Sequence, residues 1–493
     1  MRDEHQRRPF NARATVVPTD QILVNRRVRI FNANLFSGCT HCSMGKPILL
    51  LASGSNARGQ LANGTADDSH IFAPCNFLGC LSGSLPPNTC RIVDIASGSN
   101  HALALLERQG ETGEVRKELW GCGDGGKGQL GPMYVTHGEQ TPGASGSVFR
   151  PLDFPWEDYG LNGYECRLVA SAWETSYIVL SSHGKSDVMI SMGVDDFGDL
   201  GIGESNTRKN AVRPLNIVKF DNIVSRGRHL DYDSLSVESV SAGPHHIIIQ
   251  VVLSSDTSDE SLTIGWGASR HGQLGLSSQT RAAFSSAPQL ISRVPISDLD
   301  RVVSSSLGAQ HSVFLHASGR ISCLGSNKKG QLQDLTTLRN VRSVGCTWHG
   351  TYVDVRSSDN PETQVFATGS HVKGQLGRIL PSSTELELTT PPLAPVNFPF
   401  TSASRNLESM ASGSEHILSL FRVIRNDSAT TTEVETEVWG WGWNEHGNLG
   451  VGSTEDISLP TRIWPGRSCS NNDVGRAVGI WAGCGTSWIA LEL

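Results

Sequence analysis

At 493 residues, with 52 glycines, 22 prolines, 18% charged and 38% hydrophobic residues, the chain has the makeup of a folded, turn-rich all-β protein and not of a disordered one. A formal charge of −7 removes any global electrostatic reason to bind nucleic acid or an anionic membrane directly. Eleven cysteines, an odd number scattered along the chain, read as free buried thiols in a reducing compartment; the cytoplasm is the expected location, with the nucleus second.

Residues 1–46 carry eight Lys or Arg against three acids and read as a basic, flexible tail. The tail holds one Cys-x-x-Cys at 39–42, but a single pair without a second is a weak zinc signal, and no metal or cofactor is expected. Its start, MRDEHQRRPF, has no apolar signal core, and no run in the chain reaches the roughly 18 apolar residues of a membrane-spanning helix.

From residue 47 onward two phrases alternate. The first is Gly-x-Asn-x-x-Gly-Gln-Leu-Gly and its variants: GSNARGQLANG at 54, GCGDGGKGQLG at 121, MGVDDFGDLGIG at 192, GWGASRHGQLG at 265, LGSNKKGQLQD at 324, TGSHVKGQLG at 368 and GWNEHGNLGVG at 442. The second is Gly-x-x-His followed by an apolar run: SGSNHALAL, SAWETSYIVL, AGPHHIIIQ, LGAQHSVFL, GCTWHGTYV, SGSEHILSL and GCGTSWIAL. Each occurs seven times, and the leucines of the first phrase lie 44 to 74 residues apart. The glycine before Gln-Leu suits a positive-φ turn, and Leu61, Leu130, Leu200, Leu274, Leu332, Leu376 and Leu449 are the expected loop anchors.

The second phrase separates two short apolar stretches and reads as a hairpin. In the first complete unit the strands fall at 91–98, 101–107, 114–121 and near 147–154, with the Gly-Gln-Leu phrase linking the last two. Polar stretches at 254 and 425 fall between second and third strands, and longer insertions at 132–164, 204–236 and 379–405 fall elsewhere at blade edges. The repeats begin with a third strand, PILLLASG, and end with first and second strands, VGIWAGCGTSWIALEL. The expectation is a seven-bladed β-propeller of four-stranded blades over residues 47–493, its last blade closed by N- and C-terminal strands.

Up-and-down strands put the turn between strands one and two on the same face as the loop between three and four. Trp173, Glu174, Trp348, Glu415, Trp443, Glu445, His446 and Trp488 are therefore the expected partner-binding residues, exposed indoles among carboxylates. Trp439 and Trp441, like Trp120 and Trp266, are expected to pack between blades; for Trp173, Trp348 and Trp488 the same packing role stays open. His101, His246, His311, His349 and His416 recur once per blade, with Thr175 and Thr486 instead in two others. Such repetition points to structure and not to catalysis, for which a histidine would be singular and paired with a nucleophile or carboxylate. No phosphate-binding or nucleophile-elbow motif occurs, so no enzymatic activity is expected.

The two alternating phrases resemble the regulator-of-chromosome-condensation propeller family over about residues 47 to 493. Departures from its consensus resemble one branch, the fungal alpha-tubulin suppressor, also called the killer-toxin-insensitivity propeller. They are Trp173-Glu174-Thr175, Cys346-Thr347-Trp348, Ser414-Glu415-His416, Gly442-Trp443-Asn444-Glu445-His446-Gly447-Asn448 and Gly483-Cys484-Gly485-Thr486-Ser487-Trp488. The resemblance implies an adaptor that forms a heterodimer with a small CSL-type zinc or iron protein. It further implies support for diphthamide synthesis on elongation factor 2 and for Elongator-dependent modification of wobble uridines in tRNA, with the enzymes of both pathways as indirect partners. The basic tail and longer loops depart from the branch. The competing expectations are a guanine-nucleotide exchange factor for a small GTPase, which the wider family includes, and a chromatin or cytoskeletal scaffold.

Overall fold

A computed structural model describes residues 46–134, 147–203, 215–225, 227–230, 235–254, 259–275, 283–292, 294, 300–356, 363–380, 390–424, 434–466 and 475–493. Tail residues 1–45, with the Cys-x-x-Cys, lie outside them. The described strands form seven antiparallel sheets arranged as the blades of a propeller, plus a small hairpin at Val224–Ser225 and Arg228–His229. Blade 1 has strands at Thr89–Ser97, His101–Gln109, Val115–Gly123 and Arg150–Pro151, within a few residues of the sequence expectation. The first strands of blades 2 to 6 begin at Glu165, Leu235, Val302, Val341 and Arg405. In blade 4 three strands are described, and a short 3-10 turn, Leu335–Thr337, packs beside the third.

Blade 7 is shared between the chain ends. Its first and second strands are Arg476–Ala482 and Thr486–Glu492, and its third and fourth are Ile48–Gly54 and Ser69–Pro74. Seven register pairs, from Ile48 opposite Glu492 to Gly54 opposite Thr486, join the two ends, so each covers a sheet edge the other leaves open.

A strand has two faces, and in a propeller each face meets a different neighbouring blade. The core is accordingly divided into seven apolar clusters, one in each gap between adjacent blades. In the second strand of blade 1, Leu103 and Leu105 face blade 2, while Ala102, Ala104 and Leu106 face blade 7. The same alternation explains the tryptophans near residue 440. Trp439 and Trp441 both enter the gap toward blade 5, where the Trp441 Nε1–H donates to the Gln375 carbonyl at 2.8 Å. Gly440 keeps the opposite face clear for Leu449 and Ile463, whose atoms come within 3.0 and 3.2 Å of where a Cβ would stand.

Each loop between third and fourth strands is closed by its own side chains. Asn444 Oδ1 accepts the Leu449 N–H at 2.8 Å, and Asn56 and Asn327 do the same for Leu61 and Leu332. The glutamine folds back on the backbone: Gln60, Gln129, Gln273, Gln331 and Gln375 accept the N–H two residues earlier, at 2.8–3.0 Å. Two glycines per unit permit this path. Gly442 ends its strand at φ 103°, and a Cβ there would lie 2.5 Å from the Glu415 carbonyl oxygen; Gly447 turns the loop at φ 70°. Of the leucine anchors all are buried except Leu332, which is half-buried.

Candidate partner-binding face

The turns between first and second strands circle the axis on one face and bond to one another. Ser99 N–H donates to the Trp173 carbonyl at 2.9 Å, Trp173 N–H to Pro244, Ala309 N–H to Trp348, Trp348 N–H to Ser414 and Ser414 N–H to Gly483. Outside this ring stand the seven Gly-Gln-Leu loops.

At its centre Trp348 and Cys484, both buried, meet the half-buried Trp173 and Ala309. These residues come from blades 5, 7, 2 and 4, and residues of non-neighbouring blades approach one another only around the axis. They form an apolar cap there. Beside it, His349 stands edge-on to Trp348, with ring centroids 6.4 Å apart, and its Nδ1 lies 2.7 Å from Glu415 Oε1; Gln375 Nε2–H donates to the other Glu415 oxygen at 3.0 Å. Glu174 is half-buried on the turn that carries Trp173.

The remaining expected residues are placed differently. Trp443 is not exposed at the rim: it is 4% exposed, donates from Nε1 to Glu445 Oε2 at 3.0 Å and packs over Gly485 at the seam between blades 6 and 7. Blade 7 covers it: the indole lies against the Gly485 turn and stands edge-on to His446, with ring centroids 5.3 Å apart. Glu445 is exposed, and His446 is half-buried with Nδ1 2.7 Å from Asp68 Oδ2 of blade 7. Trp488 is fully buried in the gap between blades 7 and 1, 6.0 Å from Phe149, because it is the third residue of its strand and points sideways. Exposed indoles at Trp348, Trp443 and Trp488 are therefore corrected to buried ones, and of the four tryptophans expected on the face Trp173 is half-buried. Glu415 is also buried, as the bridge just described.

The repeated histidines tie blade to blade. Nε2 of His101, His246 and His416 lies 2.9–3.0 Å from Ser176, Ser312 and Ser487 Oγ on the following blade, and that of His311 lies 3.2 Å from Thr351 Oγ1. Ser312 and Thr351 pass the contact on to the Gln273 and Gln331 carbonyls of the preceding blade's loop. Burial holds these imidazoles neutral, at about 4 for His101 and His416 and about 3 for His246 and His311. His349 does not share this position: Gly350, opposite Gly369, occupies it, as His101 occupies the one opposite Gly123. The thiol of Cys346 is pushed up to about 12 by burial.

Sequence reasoning missed Ala309 as a cap residue and the carboxylates Asp68 and Asp199, the latter 3.6 Å from His245 across the gap between blades 2 and 3. Asp199 stands where five of the other loops carry glutamine and one carries Asn448, and that exchange was the available signal. Among the described residues no group of three or more His, Cys, Asp or Glu comes together as a metal-binding set, and no helix is long and apolar enough to cross a membrane.

Comparison with known proteins agrees with this geometry. Profiles of the regulator of chromosome condensation (RCC1) repeat match residues 92–129, 264–315 and 436–488. An RCC1 repeat-containing protein of Schizosaccharomyces pombe is 24% identical over 462 residues, 90% of this chain and 99% of that protein. A secretion-regulating guanine nucleotide exchange factor of Mus musculus is 23% identical over 86% of this chain and 80% of its own length. The probable E3 ubiquitin-protein ligase HERC6 of Homo sapiens is 26% identical over 58% of this chain, which spans only 24% of that protein. Among solved structures, Prp20p from Saccharomyces cerevisiae superposes with a TM-score of 0.61 at 17% identity, covering 92% of this chain and 93% of its own.

Proposed function

We propose that this chain, a propeller of regulator-of-chromosome-condensation repeats, is a non-catalytic adaptor. In this reading it pairs with a small CSL-type zinc or iron protein and through it serves diphthamide synthesis on elongation factor 2 and Elongator-dependent tRNA modification, in the cytoplasm and the nucleus. The observation that carries the reading is the axial cap, where Trp173 and Trp348 meet beside the His349–Glu415–Gln375 bridge. A half-buried indole inside a ring of polar groups has the composition of an interface anchor. Two of the branch-like departures, Trp173-Glu174-Thr175 and Cys346-Thr347-Trp348, supply it. Against catalysis stand the repeated histidines, whose Nε2 atoms are committed to neighbouring hydroxyls.

The test is co-purification with the CSL-type protein using wild type and Trp173→Ala, followed by measurement of diphthamide on elongation factor 2 in cells lacking the chain. Absence of a complex, or full diphthamide without the chain, overturns the adaptor reading. Similarity to the murine exchange factor over 86% of this chain favours one other reading, nucleotide exchange on a small GTPase. Accelerated nucleotide release from a panel of purified small GTPases would establish it.

A further inference from the structure

Six of the seven loops between third and fourth strands carry a base or an imidazole just before the turning glycine: Arg58, Lys127, His271, Lys329, Lys373 and His446. Three of these tips reach a carboxylate of the next blade. Arg58 Nε is 4.0 Å from Asp124, Lys373 Nζ is 3.3 Å from Asp456 and His446 Nδ1 is 2.7 Å from Asp68. The loop of blade 2 inverts the pattern. Its sequence, Asp195-Asp196-Phe197-Gly198-Asp199, puts a phenyl ring at the tip, surrounds it with three acids and contains no base.

This loop closes a perimeter with two neighbouring turns. Val194 N–H donates to the Glu174 carbonyl at 3.1 Å, Trp173 N–H donates to the Pro244 carbonyl of blade 3 at 3.2 Å, and the Phe197 ring lies against His245 of that same turn, with centroids 4.4 Å apart. Around the perimeter Trp173, Glu174 and His245 are half-buried, whereas Asp196 is exposed and Phe197 is 40% exposed. Asp199, 2% exposed, stands behind His245. Its Oδ2 accepts the Phe197 N–H at 3.1 Å, while Oδ1 is 3.6 Å from His245 Nδ1, beyond hydrogen-bond length, and has no donor among the described residues. Burial pushes this carboxyl above its ordinary value, a penalty that a cation seated at the perimeter offsets.

The side chains on offer select the guest. A carboxylate next to an aromatic ring suits a planar, delocalised cation, which forks onto the one and stacks on the other, better than a compact ammonium or a neutral group. We propose that Glu174, Asp196, Phe197 and His245, backed by Asp199, form a seat for an arginine side chain of a partner polypeptide. The proposal goes beyond the adaptor reading and does not depend on the CSL-type protein. The competing occupants are this chain's own Arg208 and Lys209, which lie outside the described residues.

The experiment uses the full chain and three labelled peptides that are identical except for a pair of arginines, lysines or citrullines, with binding read by fluorescence anisotropy at low ionic strength. The test variants are Phe197→Arg, which restores the kind of residue the other units carry at this tip and so suits the loop, and Asp196→Asn, at an exposed side chain. The control is Asp67→Asn, an exposed carboxylate on the corresponding loop of blade 7. Thermal melting confirms that each variant is folded. The expected result is binding of the arginine peptide, weakened about threefold with lysine and at least about tenfold with citrulline. Phe197→Arg should weaken the arginine peptide at least about tenfold, Asp196→Asn about threefold and Asp67→Asn less than about twofold. Equal binding of the three peptides, no binding of the arginine peptide to wild type, or unchanged binding in folded Phe197→Arg and Asp196→Asn overturns the seat. Binding gained only when Arg208 and Lys209 are both replaced by serine assigns the perimeter to the chain's own bases and equally overturns the proposal.

Discussion

His446 of blade 6 lies 2.7 Å from Asp68 of blade 7, a hydrogen-bonded pair of residues 378 positions apart that sits on the seam where the chain ends meet. Asp68 also accepts the Asn56 N–H at 2.8 Å. Burial pushes its carboxyl upward, but the hydrogen bonds from His446 and Asn56 outweigh that and hold it below its ordinary 3.8. Because the folded value is depressed, the stabilisation is fully present above the ordinary carboxylate range and is lost as pH falls through the folded value. Asp68→Asn should cost about 1 kcal/mol at neutral pH, as partly exposed pairs do. Its melting curve should converge with wild type in strong acid.

The four blade-to-blade histidines set a second acid response. Their folded values, about 4 for His101 and His416 and about 3 for His246 and His311, lie below the ordinary 6.5. The unfolded chain takes up protons first, so stability falls continuously as pH drops from about 6.5 toward these values. Thermal unfolding at neutral and mildly acidic pH should show this loss, and His246→Ala should reduce it while costing roughly 2–4 kcal/mol at neutral pH by leaving a cavity beside Ser312.

Trp443→Ala should destabilise the protein by roughly 3–5 kcal/mol, since the indole is buried at the seam. Glu445→Ala, at an exposed position, should change stability by less than about 1 kcal/mol. Urea unfolding of both separates packing from partner contact: equal and small effects would place Trp443 outside the core.

Gly442→Ala and Gly452→Ala both force a positive φ, 103° and 84°, on a residue with a Cβ. At Gly452 nothing lies within 4 Å of that atom, so the cost is backbone strain of about 1 kcal/mol. At Gly442 the Cβ would stand 2.5 Å from the Glu415 carbonyl oxygen, and roughly 3 kcal/mol or more should be lost. A comparison of denaturation midpoints decides it.

Deletion of residues 484–493 removes the second strand of blade 7, which pairs with both Arg476–Ala482 and Ile48–Gly54. The ring should open and the product aggregate; a soluble truncation with unchanged melting would contradict the closure.

The repeat was legible in the residues because each unit solves the same local problem in the same way. Gly442, Asn444, Gly447 and Leu449 form a turn closed by hydrogen bonds within the loop itself, between Asn444 and Leu449, Ser453, Glu455 and Asp456, so their spacing announced the loop and, seven times over, the ring. The candidate face was less legible. Glu174, Glu445 and His446 lie on the expected turn and loop, but whether an indole there faces water depends on what stands opposite. Trp443 is covered because the Gly485 turn, from the other end of the chain, packs against it, and Trp488 is covered because its place in the strand aims it at Phe149.

What the order of amino acids determined by itself is the unit, its sevenfold recurrence and the sharing of the last blade, since these follow from period-two alternation and from glycines that only certain turns require. What only the tertiary structure decided is what each loop tip meets. His446 meets Asp68 and Phe197 meets His245, although both occupy the same position in their repeats, because the neighbour across a blade gap is set by ring geometry and not by sequence distance.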